Sequence, residues 1–312
     1  MDIRQLNAFW AVSRTGSITR AAAMLGYSQS AVTAQIKNLE SAVRTRLFER
    51  RRDGVRLTPD GERFLPYANR LLRLSEEAVS ALAPEAPLTG RMTIGASESL
   101  TTYRLPDVIR HFHAAHPDVR LMLRTFHEGP DHMMEALVRG DVDIALTHCI
   151  DPGPVGVPAR RLAPEPLALV APPDHPMAAC DAVTTDELRR TRTLIVQASC
   201  VYDTALRASL PGVRAVPPLQ FGTIEAVKTA VRSGLGVALL PRVAVTEQLR
   251  TGELVELRWA PGVTVSSYVL LGKEQDGSQL LSALDALLDR VVREWHQPAA
   301  AHVPCDDLGL GG

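Results

Sequence analysis

The segment GSITRAAAMLGYSQSAVTAQIKNLE, residues 16–40, has the pattern of two short helices joined by a tight turn. Ser17 and Ser28 are placed to cap the two helices, and Gly26 is placed to end the first one. Apolar residues recur at helical spacing, first as Ile18, Ala21, Ala22 and Leu25, then as Val32, Ile36 and Leu39. This layout predicts a helix-turn-helix, in which the small alanines permit a close helix crossing.

The outer face of the second helix is small and polar, and it has few of the long charged side chains that usually solvate an exposed helix. A helix that enters the DNA major groove needs short leading side chains whose amides and hydroxyls can contact base edges. We therefore expect this face to contact DNA through Ser28, Gln29, Ser30, Thr33 and Lys37.

A basic segment, FERRRDGVRLT at residues 48–58, follows the two helices and surrounds Asp53-Gly54, a plausible hairpin turn. A basic hairpin beside a recognition helix is a wing, and its arginines contact phosphate or enter the minor groove. The predicted contacts are Arg50, Arg51 and Arg52, with Arg56 on the far side of the turn. Taken singly, each feature also fits a solvated helical hairpin with a surface charge run.

The charge distribution favours the DNA-binding interpretation. The whole chain has 312 residues and a formal net charge of −1, but residues 1–56 carry a net charge of +6 and the remainder carries −7. A small basic N-terminal domain joined to a larger acidic one predicts a polyanion partner for the first part only.

Residues 59–83 predict one long helix, and residues 83–90, APEAPLTG, predict a linker marked by proline and glycine. Two rows of residues fall at heptad spacing, which favours a dimer-forming coiled coil. An amphipathic helix packed on its own chain fits the same pattern, so both interpretations stay open. The two rows are Leu65, Leu72 and Val79, and Ala68, Ser75 and Leu82.

From Arg91 onward, strand-like apolar runs alternate with helical patterns, which predicts an α/β fold with parallel sheets covered by helices. Polar residues follow four of these strands, where helix N-termini point inward and favour anions. We expect a small organic anion to bind there, although helix capping alone explains any one hydroxyl. The candidate effector-binding residues are Ser97, Ser99, Thr101, Thr102, Thr147, Ser199, Cys200, Tyr202, Thr223 and Glu225.

Cys200 at a predicted helix N-terminus raises the alternative of a redox-responsive protein, because such a position can lower a thiol pKa. No second cysteine lies near it in sequence, which disfavours a disulfide switch. The histidines at 111, 113 and 116 do not share one helix face, and we predict neither a metal nor a cofactor. The scattered cysteines, the absence of a signal peptide and the lack of a long apolar run predict a cytoplasmic protein without a membrane span.

Several segments together resemble the LysR-type transcriptional regulators. The N-terminal signature is residues 16–40 with RLFERRRDGVRLTPDGERFLPYA. Later landmarks are LTGRMTIGASESLTTYRLPDVIRHFHAAHPDVRLML, LVRGDVDIALTH, VAPPDHPM and EAVKTAVRSGLGVALLPRVAV. The resemblance implies a winged helix-turn-helix, a dimerising linker helix and an effector domain with the fold of periplasmic binding proteins. It also implies tetramers that bend promoter DNA, a small co-inducer in the cleft between two α/β lobes, and RNA polymerase as a further partner.

The resemblance gives expected domain boundaries. We place the DNA-binding domain at 1–58, the linker helix and hinge at 59–87, the effector domain at 88–296 and a disordered tail at 297–312. Within the effector domain, lobe I is expected at about 91–162 and 268–295, and lobe II at 163–267.

Two departures from the family pattern bear on the DNA-binding domain. Arg44 stands where the family has glycine, so a left-handed backbone there would cost about 1 kcal/mol relative to glycine. Ala34 stands where a longer polar residue is common, which removes a base contact.

Two rival classes fit less well. An enzyme lacks a nucleophile motif such as Gly-x-Ser-x-Gly, and a periplasmic solute-binding protein leaves residues 1–83 unexplained.

Overall fold

The N-terminal domain contains three helices, a two-stranded hairpin and a long helix. The computed structural model describes residues 1–51, 54–81, 87–127, 130–151, 153, 158–198, 200–210, 212, 216–271, 278–293 and 295. The elements of this domain are α1 Ile3–Thr15, α2 Ile18–Leu25, α3 Gln29–Val43, β1 Phe48–Arg51, β2 Gly54–Leu57 and α4 Pro59–Ala81.

The caps of α2 and α3 follow from the sequence. The Ser17 hydroxyl accepts a hydrogen bond from the backbone N–H of Arg20, and the Ser28 hydroxyl accepts one from Ala31. Gly26 ends α2 with φ 69°, as a left-handed terminal residue does. Arg44 ends α3 with φ 56°, so this arginine does occupy the left-handed conformation that favours glycine.

The hairpin is fixed against the helix-turn-helix by backbone contacts. β1 and β2 pair antiparallel. The N–H of Val55 donates to the carbonyl of Gly16 at 2.9 Å, and Gly54, with φ 138°, lies so close that a Cβ would stand 2.6 Å from that oxygen. At the other end, a Glu40 carboxylate oxygen accepts from the N–H of Leu47 at 2.8 Å. The wing therefore has a defined position beside α3.

The linker helix α4 packs its inner face on its own chain. Ala68 and Leu72 are buried in the N-terminal core with Phe9 and Val32. The two heptad rows are therefore packed on their own chain in the first part of the helix, as the second interpretation expected, whereas Val79 further along is exposed. The described end of the helix is Ala81, and Leu82 lies outside the described residues.

The same helix also contacts the effector domain. Asn69 donates from Nδ2 to the carbonyl of Gly140 at 2.8 Å. Arg73 forms an ion pair with Asp143 at 2.9 Å, and the second oxygen of Asp143 accepts from the N–H of Thr93 at 2.7 Å. The linker helix is thereby anchored to lobe I.

Lobe I is built on a five-stranded sheet of order β4-β3-β5-β12-β6. The helices α6 and α12 pack on it and complete one apolar core. Its elements are β3 Gly90–Ser97, α5 Glu98–Tyr103, α6 Leu105–Ala115, β4 Val119–Phe126, α7 Pro130–Val138, β5 Ile144–Ile150, β6 Ala159–Pro164, β12 Val265–Leu271 and α12 Gln279–Val291.

Lobe II is built around a three-stranded sheet of order β10-β7-β11 and a two-stranded sheet of β8 and β9. Two apolar clusters form its interior. Its elements are β7 Leu167–Ala171, a 3₁₀ helix Pro176–Ala179, α8 Thr185–Arg190, β8 Leu194–Ile195, α9 Val201–Ser209, β9 Leu219–Gln220, α10 Ile224–Arg232, β10 Ala238–Pro241, α11 Arg242–Thr251 and β11 Val255–Glu256.

The chain crosses between the lobes twice, after β6 and before β12. Since β6 and β12 both belong to the lobe I sheet, the crossings lie a few residues from the boundaries expected at 162/163 and 267/268. The parallel pairing expected from sequence is found in only part of the sheets. β3 is parallel to β4 and β5, but β12 runs antiparallel to β5 and β6 because the chain enters it on returning from lobe II.

Among the described residues, no helix is both long and apolar enough to cross a membrane.

Candidate functional site: a DNA-reading surface and an interlobe cavity

The first turns of α3 present a polar surface to solvent. Gln29, Ser30 and Lys37 are exposed, and Thr33 is half-buried. The Gln29 amide donates to the Thr19 hydroxyl on α2 at 2.9 Å, so it is held on the helix surface in the absence of DNA. The residues predicted to contact bases thus share one exposed face.

The hydroxyls of Ser28 and Thr33 also form hydrogen bonds within the helix itself. Ser28 is the N-cap of α3 and lies 3.0 Å from the Ser30 hydroxyl. The Thr33 hydroxyl donates to the Gln29 carbonyl at 2.8 Å. Both oxygens keep acceptor capacity, so these bonds leave them able to accept from a base or a water.

The wing adds cationic groups beside this face. Arg50 and Arg51 lie on β1, Arg56 lies on β2, and all three are exposed. Arg51 forms an exposed ion pair with Glu49 at 2.7 Å, which offsets part of its charge. Arg52 lies outside the described residues.

A cavity of about 340 Å³ lies between the lobes. Its walls come from the ends of β3, β4 and β5 in lobe I and from the starts of α9 and α10 in lobe II. Most of the lining is apolar, which suits a small molecule with an apolar body. The residues that line it are Ser97, Glu98, Ser99, Phe126, His127, Thr147, His148, Cys149, Ile150, Gly153, Val196, Cys200, Val201, Tyr202, Thr204 and Ile224.

The structure brings half of the predicted effector-binding residues to this cavity. Those that line it are Ser97, Ser99, Thr147, Cys200 and Tyr202. Four others lie outside the lining. Thr101 donates to the Ser97 carbonyl, Thr102 is exposed, Thr223 caps α10, and Glu225 pairs with Lys228. Ser199 lies outside the described residues.

A buried hydrogen-bond chain joins the cavity to the crossing between the lobes. Tyr202 donates to the Ser99 hydroxyl at 2.8 Å, and Ser99 lies 3.1 Å from His148 Nδ1. His148 Nε2 lies 3.3 Å from a carboxylate oxygen of Glu165, which also pairs with Arg104 at 3.1 Å. Lobe II, lobe I and the first crossing are therefore linked through side chains.

Two groups in this hydrogen-bond chain have shifted pKa values. Burial acts to raise the pKa of Glu165, but hydrogen bonds and charges from His148 and Arg104 outweigh it and lower the pKa. Burial raises the pKa of Tyr202 well above 10, so the phenol stays protonated and donates. An ionised Glu165 is paired with an N–H on His148 Nε2, and the other ring nitrogen, Nδ1, lies within hydrogen-bond distance of both Ser99 and Tyr202.

A second set of contacts crosses the cleft at its edge. A Glu98 carboxylate oxygen in lobe I accepts from the backbone N–H of Ile224 at the start of α10, at 3.0 Å. Tyr103 donates to Glu225 at 2.5 Å, and Lys228 donates to the same oxygen at 2.8 Å. Burial acts to raise the pKa of Glu225, but these two bonds lower it.

Two cysteines line the cavity from opposite lobes, which their sequence positions did not suggest. Burial raises the pKa of Cys149 to about 11. Burial also raises the pKa of Cys200, although backbone N–H groups at the start of α9 act to lower it. Both thiols are therefore protonated at neutral pH, which makes them poor nucleophiles.

These features define a class of protein: a DNA-binding regulator that carries a two-lobed small-molecule-binding domain. The comparisons agree. Residues 3–62 match the family described as bacterial regulatory helix-turn-helix protein, lysR family, and residues 85–295 match the LysR substrate binding domain. The chain belongs to the LysR-type transcriptional regulators, with a winged helix-turn-helix and an effector domain of the periplasmic-binding-protein type. It is a regulator of transcription, not an enzyme.

Curated relatives cover most of this chain. An uncharacterized HTH-type transcriptional regulator, YwqM of Bacillus subtilis, is 34% identical over 91% of this chain and 97% of its own. The regulator GltR of the same organism is 30% identical over 81% of this chain and 84% of its own.

Solved structures share the fold. A full-length OxyR variant from Pseudomonas aeruginosa superposes with a TM-score of 0.75 at 21% identity, covering 94% of this chain and 95% of that one. LysG from Corynebacterium glutamicum, solved with bound effector Arg, gives 0.58 at 24% identity, covering 94% and 99%. Members of the family bind DNA and small-molecule effectors and form oligomers.

Proposed function

We propose that this regulator binds promoter DNA sequence-specifically through α3 and the β1–β2 wing, and that a small molecule in the interlobe cavity modulates that binding. The observation that carries the proposal is the exposed, small and polar start of α3 beside exposed wing arginines. The same chain supplies a cavity of about 340 Å³, within the size range of small-molecule sites.

Base reading is assigned to α3. Gln29, Thr33 and Lys37 are the proposed base-contacting residues, and the short side chain of Ser30 permits close approach. The Thr19 contact uses one N–H of the Gln29 amide, so the second N–H and the carbonyl oxygen remain for a base. Arg50, Arg51 and Arg52 are the proposed phosphate contacts.

The test compares Gln29→Ala with Arg51→Ala on a labelled duplex from the protein's own upstream region and on a shuffled duplex. Fluorescence anisotropy at several salt concentrations gives affinity and its salt dependence. Gln29→Ala is expected to reduce the preference for the genuine duplex about tenfold, and Arg51→Ala to weaken binding to both duplexes. Salt-independent affinity, or equal effects of the two variants, would contradict the assignment.

The effector is proposed to occupy the cavity. The sequence favoured a small organic anion, and hydroxyls from Ser97, Ser99 and Thr147, together with the start of α9, support that class. Glu98 in the same lining opposes it. The related LysG carries arginine as its effector, so this fold accommodates a ligand that is not a simple anion.

Redox sensing through Cys200 is the alternative regulatory input. Its support is that Cys149 and Cys200 line one cavity from the two lobes. Their raised pKa values oppose it, because little thiolate is present to react with peroxide. Peroxide treatment followed by thiol labelling and mass spectrometry decides it, since a sensing thiol loses labelling at low peroxide.

Self-association is proposed through the outer face of α4. Tyr67, Leu71, Leu74 and Ala78 follow offsets of four, three and four residues on this face, and all except the half-buried Leu71 are exposed. Two copies pairing along this row would form a dimer, and two dimers a homotetramer. Because the partner is promoter DNA, we place the protein in the bacterial cytoplasm, with RNA polymerase as a further contact on the promoter.

A further inference from the structure

The described lining of the interlobe cavity holds one carboxylate, Glu98, and neither lysine nor arginine. An anionic ligand in this cavity would therefore meet a negative charge without a matching cation. Of the two lining histidines, His148 is already engaged, because its Nδ1 lies 3.1 Å from Ser99 and its Nε2 lies 3.3 Å from Glu165. The balance of fixed charge favours a ligand that brings positive charge.

One of the two helix termini at the cavity, the start of α10, is already occupied by a carboxylate. One Glu98 oxygen accepts from the N–H of Ile224, the first residue of α10. The Thr223 hydroxyl accepts from the N–H of Ala226 one turn along. An incoming carboxylate would have to displace Glu98 and take its place beside the same dipole.

The cavity wall still has an oxygen atom that can accept a hydrogen bond from a ligand. The Ile224 contact uses Oε1 of Glu98, so the other oxygen of that carboxylate faces no described donor. Among the described residues, the buried Ser97 hydroxyl has no hydrogen-bond partner although it lines the cavity. A ligand ammonium beside Glu98 would pair with the carboxylate oxygen that the Ile224 contact leaves open.

The rest of the wall fixes the shape of the ligand. Phe126, Ile150, Val196, Val201 and Ile224 supply apolar surface from both lobes. A cavity of about 340 Å³ lies at the lower end of small-molecule sites, so the ligand is compact.

We propose that Glu98 selects the effector by charge, and that the cavity takes a compact apolar molecule bearing an ammonium or similar cationic donor rather than a carboxylate. This inference rests on the proposed function, because it takes the cavity as the effector site. It departs from the anion preferred from sequence, where Glu98 already spoke for caution, because the contact by which Glu98 occupies a helix terminus is seen only in the structure.

The test uses the full chain and matched probe pairs that differ in the charged group. The pairs are phenethylamine with phenylacetate, isopentylamine with isovalerate, and cyclohexylmethylamine with cyclohexanecarboxylate. Thermal shift and isothermal calorimetry are measured on the wild type, on Glu98→Gln and on Asp107→Asn. The amide of Glu98→Gln can still accept from Ile224, so this variant keeps the interlobe contact.

We expect at least one amine to raise the wild-type melting temperature more than its matched carboxylate. Glu98→Gln should weaken the binding of that amine at least tenfold. The affinity for the matched carboxylate should then lie closer to the affinity for the amine. Asp107→Asn removes the same charge from an exposed site on α6, away from the cavity, and should leave the selectivity unchanged.

Three results would overturn the inference: carboxylates binding the wild type better than amines, no amine binding, or equal selectivity in the wild type and Glu98→Gln. Binding to the upstream duplex is measured on the same samples without probes. If specific DNA binding persists while charge selectivity fails, only this inference falls. If specific DNA binding is absent, the proposed function falls with it.

Discussion

Replacing Glu165 by glutamine should destabilise the effector domain because it leaves a guanidinium without its counter-charge. The Glu165 side chain is 1% exposed and that of Arg104 is 12% exposed, and they are 3.1 Å apart. Glutamine matches the carboxylate in shape, but its NH₂ group would face donors from Arg104 and His148. Breaking a buried ion pair from one side costs about 3–5 kcal/mol, and the partial exposure of Arg104 favours the lower value.

The measurement is urea unfolding followed by circular dichroism. With an m-value of about 3 kcal/mol/M, a loss of about 3 kcal/mol lowers the midpoint by about 1 M. The double variant Arg104→Met with Glu165→Met replaces the pair by apolar groups, and such exchanges are often close to neutral. The matching single variants are Arg104→Met and Glu165→Met. We therefore expect the free energy of unfolding of the double variant to fall by at least about 2 kcal/mol less than the sum of the two single losses.

Acid adds an independent check. The folded-state pKa of Glu165 is lowered, so its stabilising effect is complete above the unfolded value of about 4.3 and disappears as pH falls through the folded value. The difference in stability between wild type and Glu165→Gln should therefore narrow below about pH 4.3. Two results would refute the idea that the charge pair stabilises this crossing. One is a double-variant loss equal to the sum of the two single losses, and the other is a difference in stability between wild type and Glu165→Gln that does not change with pH.

Three further outcomes test other parts of the molecule. Arg44→Gly should stabilise the N-terminal domain by about 1 kcal/mol in thermal unfolding, because glycine adopts the left-handed conformation without strain; a destabilised variant would contradict this. Leu74→Glu should weaken self-association at least tenfold in sedimentation velocity. Val79→Glu should not, because Val79 is exposed but lies outside the proposed outer row of α4. Equal effects of the two variants would favour the heptad rows predicted from sequence as the dimer contact. Asp143→Asn should speed hydrogen exchange around Arg73 by loosening the linker helix from lobe I, and unchanged exchange would show that the ion pair does not hold it.

The helix-turn-helix could be predicted closely from the sequence because its determinants are local. Ser17, Gly26 and Ser28 set the ends of α2 and α3 within a few residues of the groups they contact. Arg44 stood out only against the family pattern, and its left-handed backbone is a finding of the structure.

The cavity could be predicted only in part. The predicted strand ends correctly placed Ser97 and Thr147 in the cavity wall. The contact that occupies a helix terminus at the cavity, however, joins Glu98 to Ile224 across the two lobes. The apolar wall, such as Phe126 and Val196, comes from strands whose sequence pattern indicates only burial. No local pattern reports which side chains face each other across a cleft.

The outer face of α4 shows a different limit. A heptad pattern gives the rows of a helix that are apolar, but not which row the rest of the chain covers. Leu72 is covered by the N-terminal core and Leu74 is not, and only the packing of α1 against α4 distinguishes them.

The anchoring of the linker helix has a consequence for how far a signal must travel. Asp143 and Thr93, which meet at the Arg73 anchor, lie four residues before Thr147 and Ser97 in the cavity wall. Four residues of extended strand span about 13 Å. The ligand wall and the helix that carries the DNA-reading domain are thus joined by two short, adjacent stretches of strand. The contacts between the cavity wall and the linker helix therefore lie within a single subunit and involve neither lobe crossing.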